Sequence, residues 1–160
     1  DNVTGVGAKA LATLRGSTTL HTLALHLDNN HIGDDGAQAL ASLHETPALH
    51  TLTLGLTLCR ITGRGATALA VLKQAPLLHT LTLRLSCNTF GDPGAVALAS
   101  LQESHSLHTL TLELIWIGLG DAGAKALQAL KTAPSLRTLT LRLEALRLPE
   151  PVWPHGPGWT

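Results

Sequence analysis

Histidine is the residue with most chemistry to offer in this 160-residue sequence, with nine copies. Four of them, His21, His50, His79 and His108, recur at a strict interval of 29, and Arg137 takes the fifth place. Imidazole is a common zinc ligand and general base, but a zinc centre needs about four ligands converging on one point. A column made by repetition instead sets its members in a line, one rung per repeat about 4.8 Å from the next. No metal centre is expected from that pattern. A row of stacked imidazoles should resist simultaneous protonation, which predicts a fold weaker near pH 5 than near pH 8.

The remaining chemical motifs are sparse. Gly118-Leu119-Gly120-Asp121-Ala122-Gly123 satisfies the G-x-G-x-x-G dinucleotide pattern, yet Gly120, Asp121 and Gly123 are the repeat's own columns and no other unit shows the first Gly, so it reads as coincidence. Cys59 and Cys87 sit one column apart in successive units, with no requirement for a bridge. Asn2-Val3-Thr4 forms a glycosylation sequon in an incomplete first unit. There is no Walker loop, no H-E-x-x-H, no G-x-S-x-G and no carboxylate pair away from helix starts. No catalytic residue, no metal ligand and no cofactor is assigned, and a non-enzymatic role is expected.

Charge narrows the partners. Eleven Lys and Arg balance eleven Asp and Glu, so the chain lacks the basic footprint that nucleic acid requires. No apolar run approaches the roughly 18 residues of a membrane span, and Asp1 to Thr13 lacks the zones of a signal peptide. Two cysteines in such a chain favour the reduced state and a cytoplasmic setting. With no Met and Asp at position 1, the chain is expected to be processed, or a piece of something longer.

The elements that must position these residues follow from the same repetition. Hydrophobic residues are 44% of the chain while Trp, Tyr and Phe are 2%; Leu occurs 35 times and Ala 21 times, so the interior must be aliphatic. One unit reads L-H-T-L-T-L-x-L-x-x-N-x-I-G-D-x-G-A-x-A-L-A-x-L-K-x-A-P-x, with a glycine column at Gly7, Gly36, Gly65, Gly94 and Gly123. Leu81, Leu83 and Leu85 alternate as a strand buried on one face; Ala95, Leu98, Ala99 and Leu101 have helical spacing. Asp34, Asp92 and Asp121 are placed to cap these helices, and Pro47, Pro76 and Pro134 to end them. Neither half of a unit can bury its apolar face alone, so stability must come from stacking neighbours.

The unit resembles a leucine-rich repeat of the ribonuclease-inhibitor-like class, whose L-x-x-L-x-L-x-x-[NC]-x-L pattern is followed by G-D-x-G and a helix. The resemblance covers residues 1–148: a partial first repeat at 1–19, then repeats starting near 20, 49, 78, 107 and 136. It implies an α/β solenoid, with a curved parallel sheet on the concave side and short α-helices on the convex side. Asn30, Cys59 and Asn88 fit the family's Asn/Cys column, while Ile117 and Leu146 do not, so the turns are expected to loosen or be rebuilt toward the C-terminus. Residues 149–160 form a Pro/Gly/Trp tail, either a loose extension or a cap in which Trp153 and Trp159 cover the last leucine layer. No polar N-terminal cap is visible, which points to a longer repeat array.

In such a repeat the leucines of each strand turn inward and the alternate residues face the concave surface. The resemblance therefore implies a non-catalytic scaffold that binds a protein partner there. The repeated threonines cannot specify a partner, so specificity falls to the varied row His26, Gly55, Arg84, Glu113 and Arg142, with Trp116 as aromatic anchor. Trp116 either packs into an altered turn or presents an apolar patch. A different reading starts from Thr51, Thr53, Thr80, Thr82, Thr109, Thr111, Thr138 and Thr140, whose T-x-T rows look like the ice-binding face of insect antifreeze solenoids. A third makes the chain a docking segment of a larger assembly through its Ala-rich helices.

Overall fold

The computed structural model describes residues 3–143. The expectations for Asp1, Asn2, Leu146 and the 149–160 tail lie outside the described residues.

Five strands form one parallel sheet in chain order: β1 (Thr22–His26), β2 (Thr51–Gly55), β3 (Thr80–Arg84), β4 (Thr109–Glu113) and β5 (Thr138–Arg142). Each pairs with the next at an offset of one repeat, so that Thr22 faces Thr51, Thr51 faces Thr80, and so on to Thr138. The helices are α1 (Gly5–Leu11), α2 (Gly33–Ala41), α3 (Gly63–Leu69), α4 (Gly91–Ala99) and α5 (Asp121–Gln128), each running into a 3₁₀ turn. Pro47, Pro76 and Pro134 stand two residues beyond the turns that end at Glu45, Gln74 and Thr132, where a missing N–H cannot continue the helix. Strands pack on strands and helices on helices, which makes an α/β repeat solenoid of two layers.

The core lies between the layers. Leu52, Leu54 and Leu56, Leu81, Leu83 and Leu85, and Leu110, Leu112 and Leu114 are fully buried from the sheet side; Leu40, Leu69, Leu98 and Leu127 meet them from the helices. Burying each leucine stabilises the fold by about 2 kcal/mol relative to leaving it in water. Leu23, Leu25, Leu139 and Leu141, on β1 and β5, are only half-buried because those strands have one neighbour each among the described residues. Close approach of neighbouring helices depends on small residues. A Cβ on Gly94 would stand 2.6 Å from Phe90 Cδ2 and 2.9 Å from Ala66 Cβ, so only glycine fits there.

The repeat is regular in length but alternates in conformation. In four successive units one residue after the strand is left-handed: Asn29 (φ 58°), Leu58 (56°), Cys87 (56°) and Trp116 (55°). A second left-handed residue shifts from unit to unit. It is Gly33 (62°) and Gly91 (51°) in two units, where the helix starts at that glycine and runs nine residues. In the intervening units it is Arg60 (59°) and Gly118 (75°), two columns earlier, and the helix starts later from an extended Thr62 or Gly120.

This alternation corrects the expected role of the aspartates. Asp34 lies inside the first turn of α2 and makes no cap there; its Oδ1 accepts from the backbone N–H groups of Thr62 (2.8 Å) and Gly65 (3.0 Å), at the start of α3. Asp92 likewise accepts from the Gly120 N–H at 2.7 Å, at the start of α5. The orphan donors of one helix are therefore satisfied by the preceding repeat. The Asp92 carboxylate also explains two of the dinucleotide-like glycines: a Cβ on Gly120 or Gly123 would come within 2.8 or 2.5 Å of one of its oxygens.

The asparagine column ties the turns together. Asn88 Oδ1 accepts from the N–H groups of Cys59 (3.1 Å) and Ile61 (2.9 Å), and its Nδ2 donates to the carbonyls of Leu56 (2.9 Å) and Leu85 (2.9 Å). Asn30 accepts from the Val3 N–H and donates to Leu27 O. Cys59 keeps half of this role, its thiol donating to Leu27 O at 3.1 Å. Burial pushes that thiol up from the usual range; the Asn30 N–H works against the shift and the nearby Asp28 carboxylate with it. Cys59 and Cys87 are both free. At Ile117 the expected loosening does not occur. The Cys87 N–H still donates to Ile115 O (2.7 Å), the Gly91 N–H to Ile117 O (2.9 Å), and Ile117 is buried in the asparagine's place.

Candidate functional site

Side chains that leave the strands away from the core form an open face, and its varied row runs in register: His26, Gly55, Arg84, Glu113, Arg142. The structure brings the last three together. Glu113 Oε2 accepts from Arg84 Nε at 3.0 Å, while its Oε1 faces Arg142 Nη1 at 3.5 Å. One carboxylate thus holds two guanidinium groups extended over the sheet, each still carrying N–H donors able to meet carboxylates or carbonyls. His26 is exposed but stands apart, because Gly55 between it and Arg84 has no side chain. The space over Gly55 is taken by Asp28: a Cβ there would come within 2.5 Å of Asp28 Oδ2. Asp28 Oδ1 meanwhile accepts from the Thr57 N–H at 2.9 Å.

Just past the row, the left-handed residues Leu58, Cys87 and Trp116 form a ridge. Leu58 and Trp116 are 53% and 56% exposed, so Trp116 does not pack into its turn; it presents its indole to solvent. Both are bulky residues in a conformation that penalises a Cβ, and neither is repaid by burial. Nothing in the residue types of Leu58 or Cys87 signalled this geometry; their 29-residue spacing from Asn29 and Trp116 was the available clue.

The threonine pairs of β2 to β5 sit in register, half-buried in the middle of the sheet and exposed on β5. The four histidines line up as a ladder at the start of the strands, with ring centroids 5.4, 5.3 and 5.3 Å apart; His21 and His50 are stacked, His50 and His79 are tilted by 51°, and His79 meets His108 edge-on at 71°. Among the described residues no three His, Cys, Asp or Glu side chains converge to hold a metal ion. Nor is any helix among them long and apolar enough to cross a membrane.

A parallel sheet backed by helices, repeated in register unit by unit, defines an α/β repeat solenoid. The family profile described as Leucine Rich repeat matches residues 16–41, 48–70 and 78–99, three successive units, and the chain belongs to the leucine-rich repeat family. No curated protein matches the sequence significantly. Repeats of this family generally mediate protein–protein interaction.

Proposed function

We propose that this chain is a non-catalytic scaffold that holds a protein partner against the concave sheet face, between the Arg84–Glu113–Arg142 row and Trp116, with His26 at the far end of the row. The helix present in each unit supports a place in the ribonuclease-inhibitor-like class. The observation that carries the reading is Trp116: an indole 56% exposed, on a left-handed backbone, three residues beyond Glu113. Tryptophan and arginine dominate interface energies, and an indole more than half exposed beside two guanidinium groups is accessible to a partner. Family membership supports a binding role over a catalytic one, and the balanced charge supports protein over nucleic acid.

The test is retention of a partner from native extract by the immobilised chain and by Trp116→Ala and Arg84→Glu variants. A protein retained by the parent chain and lost by both variants, at unchanged melting temperature, supports the reading. Undiminished retention by both overturns it.

A further inference from the structure

The histidine ladder lies on a different surface from the row just described, along the rim where helices return to strands. His21 and His79 are exposed, His50 and His108 half-buried. None of the four rings makes a hydrogen bond or ion pair within the described residues, so their nitrogens are available. Beside the last two rungs runs a groove of about 600 Å³ lined by Lys73, Pro76, His79, Glu103, His105 and His108.

Two ion pairs tie up the charges nearest the ladder. Lys73 is paired with Glu103 at 2.6 Å, and Arg15 with Glu45 at 3.4 Å, on the 3₁₀ turns of the same rim. His44 turns its Nδ1 to Ala41 O. What remains is Arg137 and Lys131 at one end, His105 in the groove, and the ladder itself. Imidazole is the side chain whose charge responds to pH near neutrality, so the ladder adds a pH-dependent positive charge beside the fixed charges of Arg137 and Lys131.

Spacing selects the shape of what it can hold. Rungs 5.3–5.4 Å apart match the 5.4 Å rise of one α-helical turn. Acidic residues at i, i+4, i+7 and i+11 lie along one face of a helix and would meet one rung each. An extended strand presents same-face residues about 6.7 Å apart and would slip by about 4 Å over three steps.

We propose that the His21–His50–His79–His108 ladder is a docking rail for an acidic α-helical segment of a partner protein, engaged as the pH falls from 8 toward 5.5. Each carboxylate accepts from one imidazolium N–H, a charge-assisted hydrogen bond stronger than its neutral counterpart.

The experiment uses the full chain and two fluorescent helical 14-residue peptides of equal composition. One has glutamates at positions 1, 5, 8 and 12; the other has the same glutamates scattered around the helix. Anisotropy at about 150 mM salt should give a Kd for the striped peptide at least tenfold lower at pH 5.5 than at pH 8.0, and at least fivefold below that of the scattered peptide. His50→Gln/His79→Gln should abolish the pH dependence, with melting curves at both pH values confirming its fold. If that variant does not fold, His79→Arg decides: its fixed charge should strengthen binding at pH 8.0. Equal binding of the two peptides, no binding at pH 5.5, or indifference to these substitutions overturns the proposal.

Discussion

Asp34 and Gly65 belong to different repeats, and the carboxylate of the first caps the helix that contains the second: Oδ1 accepts from the Gly65 N–H at 3.0 Å, while Oδ2 accepts from the Thr62 hydroxyl at 2.6 Å. This bond couples two modules electrostatically as well as through leucines. Asp34→Ala should therefore destabilise the fold by about 1–2 kcal/mol, the usual loss for a helix cap, read from denaturant unfolding. Partial burial pushes the carboxyl upward, but hydrogen bonds from the Thr62 hydroxyl, Thr62 N–H and Gly65 N–H, with Arg64 nearby, hold it below the ordinary aspartate range. A carboxyl lowered on folding stabilises above its unfolded value and stops doing so as pH falls through the folded one. The stability gap between the parent chain and Asp34→Asn should thus be constant from pH 8 to 5 and narrow below about pH 4. A gap that is unchanged at pH 2.5 would show that the cap is not acting through its charge.

Thr46 presents the opposite case, a polar group with nothing to do. Its Oγ1 is buried and has no hydrogen-bond partner among the described residues, and the residue is 1% exposed. One repeat and three repeats on, the same column holds Ala75 and Ala133, both buried. In the repeat between those two, Ser104 finds work for its hydroxyl by accepting from the Leu107 N–H at 3.2 Å. Leaving a buried hydroxyl unsatisfied costs about 1–3 kcal/mol, so Thr46→Ala should raise stability by about 1 kcal/mol after allowing for the lost methyl packing. Thermal unfolding of the single variant checks this, and a lower melting temperature would mean that the hydroxyl has a partner in solution.

The sheet was legible because its signal is repeated: Leu81, Leu83 and Leu85 alternate, their counterparts do so 29 residues away, and identical modules can pair only in register. The alternation of turn type was not, since Arg60 is left-handed with no glycine or asparagine to announce it. Gly-Asp does not announce it either: Gly33-Asp34 and Gly91-Asp92 stand where that glycine is left-handed, but Gly120-Asp121 stands where it is extended. The aspartates were assigned to their own helices because capping rules describe one chain segment at a time. In a solenoid the nearest orphan N–H can belong to the next repeat, 28 to 31 residues away in sequence. His26, Gly55, Arg84, Glu113 and Arg142 were legible as one row, but the filling of the space over Gly55 by Asp28 was not, because only coordinates show it. The fate of Trp116 turned on whether Ile117 could replace asparagine without rebuilding the turn, a question of packing rather than pattern.

Leu58 carries a strain that can be measured. Its φ of 56° costs a residue with a Cβ about 1–2 kcal/mol, and at 53% exposure its side chain returns little by burial. Glycine adopts that conformation freely but loses more chain entropy on folding, about 0.5–1 kcal/mol. Leu58→Gly should therefore leave stability unchanged or raise it by up to about 1 kcal/mol, although it removes four carbons. Leu58→Val should lower it, because a β-branched side chain fits a left-handed residue worst. If the ridge is a binding feature, Leu58→Gly will weaken partner retention while the melting temperature stays the same or rises, separating function from folding in one protein.

Glu113 links both arginines, and the two links should differ in strength. The carboxylate is 20% exposed; Arg84 approaches at 3.0 Å with its side chain 43% exposed, Arg142 at 3.5 Å with 65% exposed. Exposed ion pairs contribute about 0.2–1 kcal/mol, with the better aligned and less solvated pair near the top of that range. Double-mutant cycles with Glu113→Gln should give a coupling of about 0.5–1 kcal/mol to Arg84→Met and less than half of that to Arg142→Met. Raising salt from 0.05 to 0.5 M should shrink both, Arg142's more, because screening acts most on the more exposed charge. The larger consequence is for binding. With Glu113→Gln the guanidinium groups lose the anchor that holds them extended, so a partner must order them itself, and partner dissociation should quicken severalfold at nearly unchanged stability. A partner that dissociates from Glu113→Gln and parent chain at the same rate would show that it does not use the arginines.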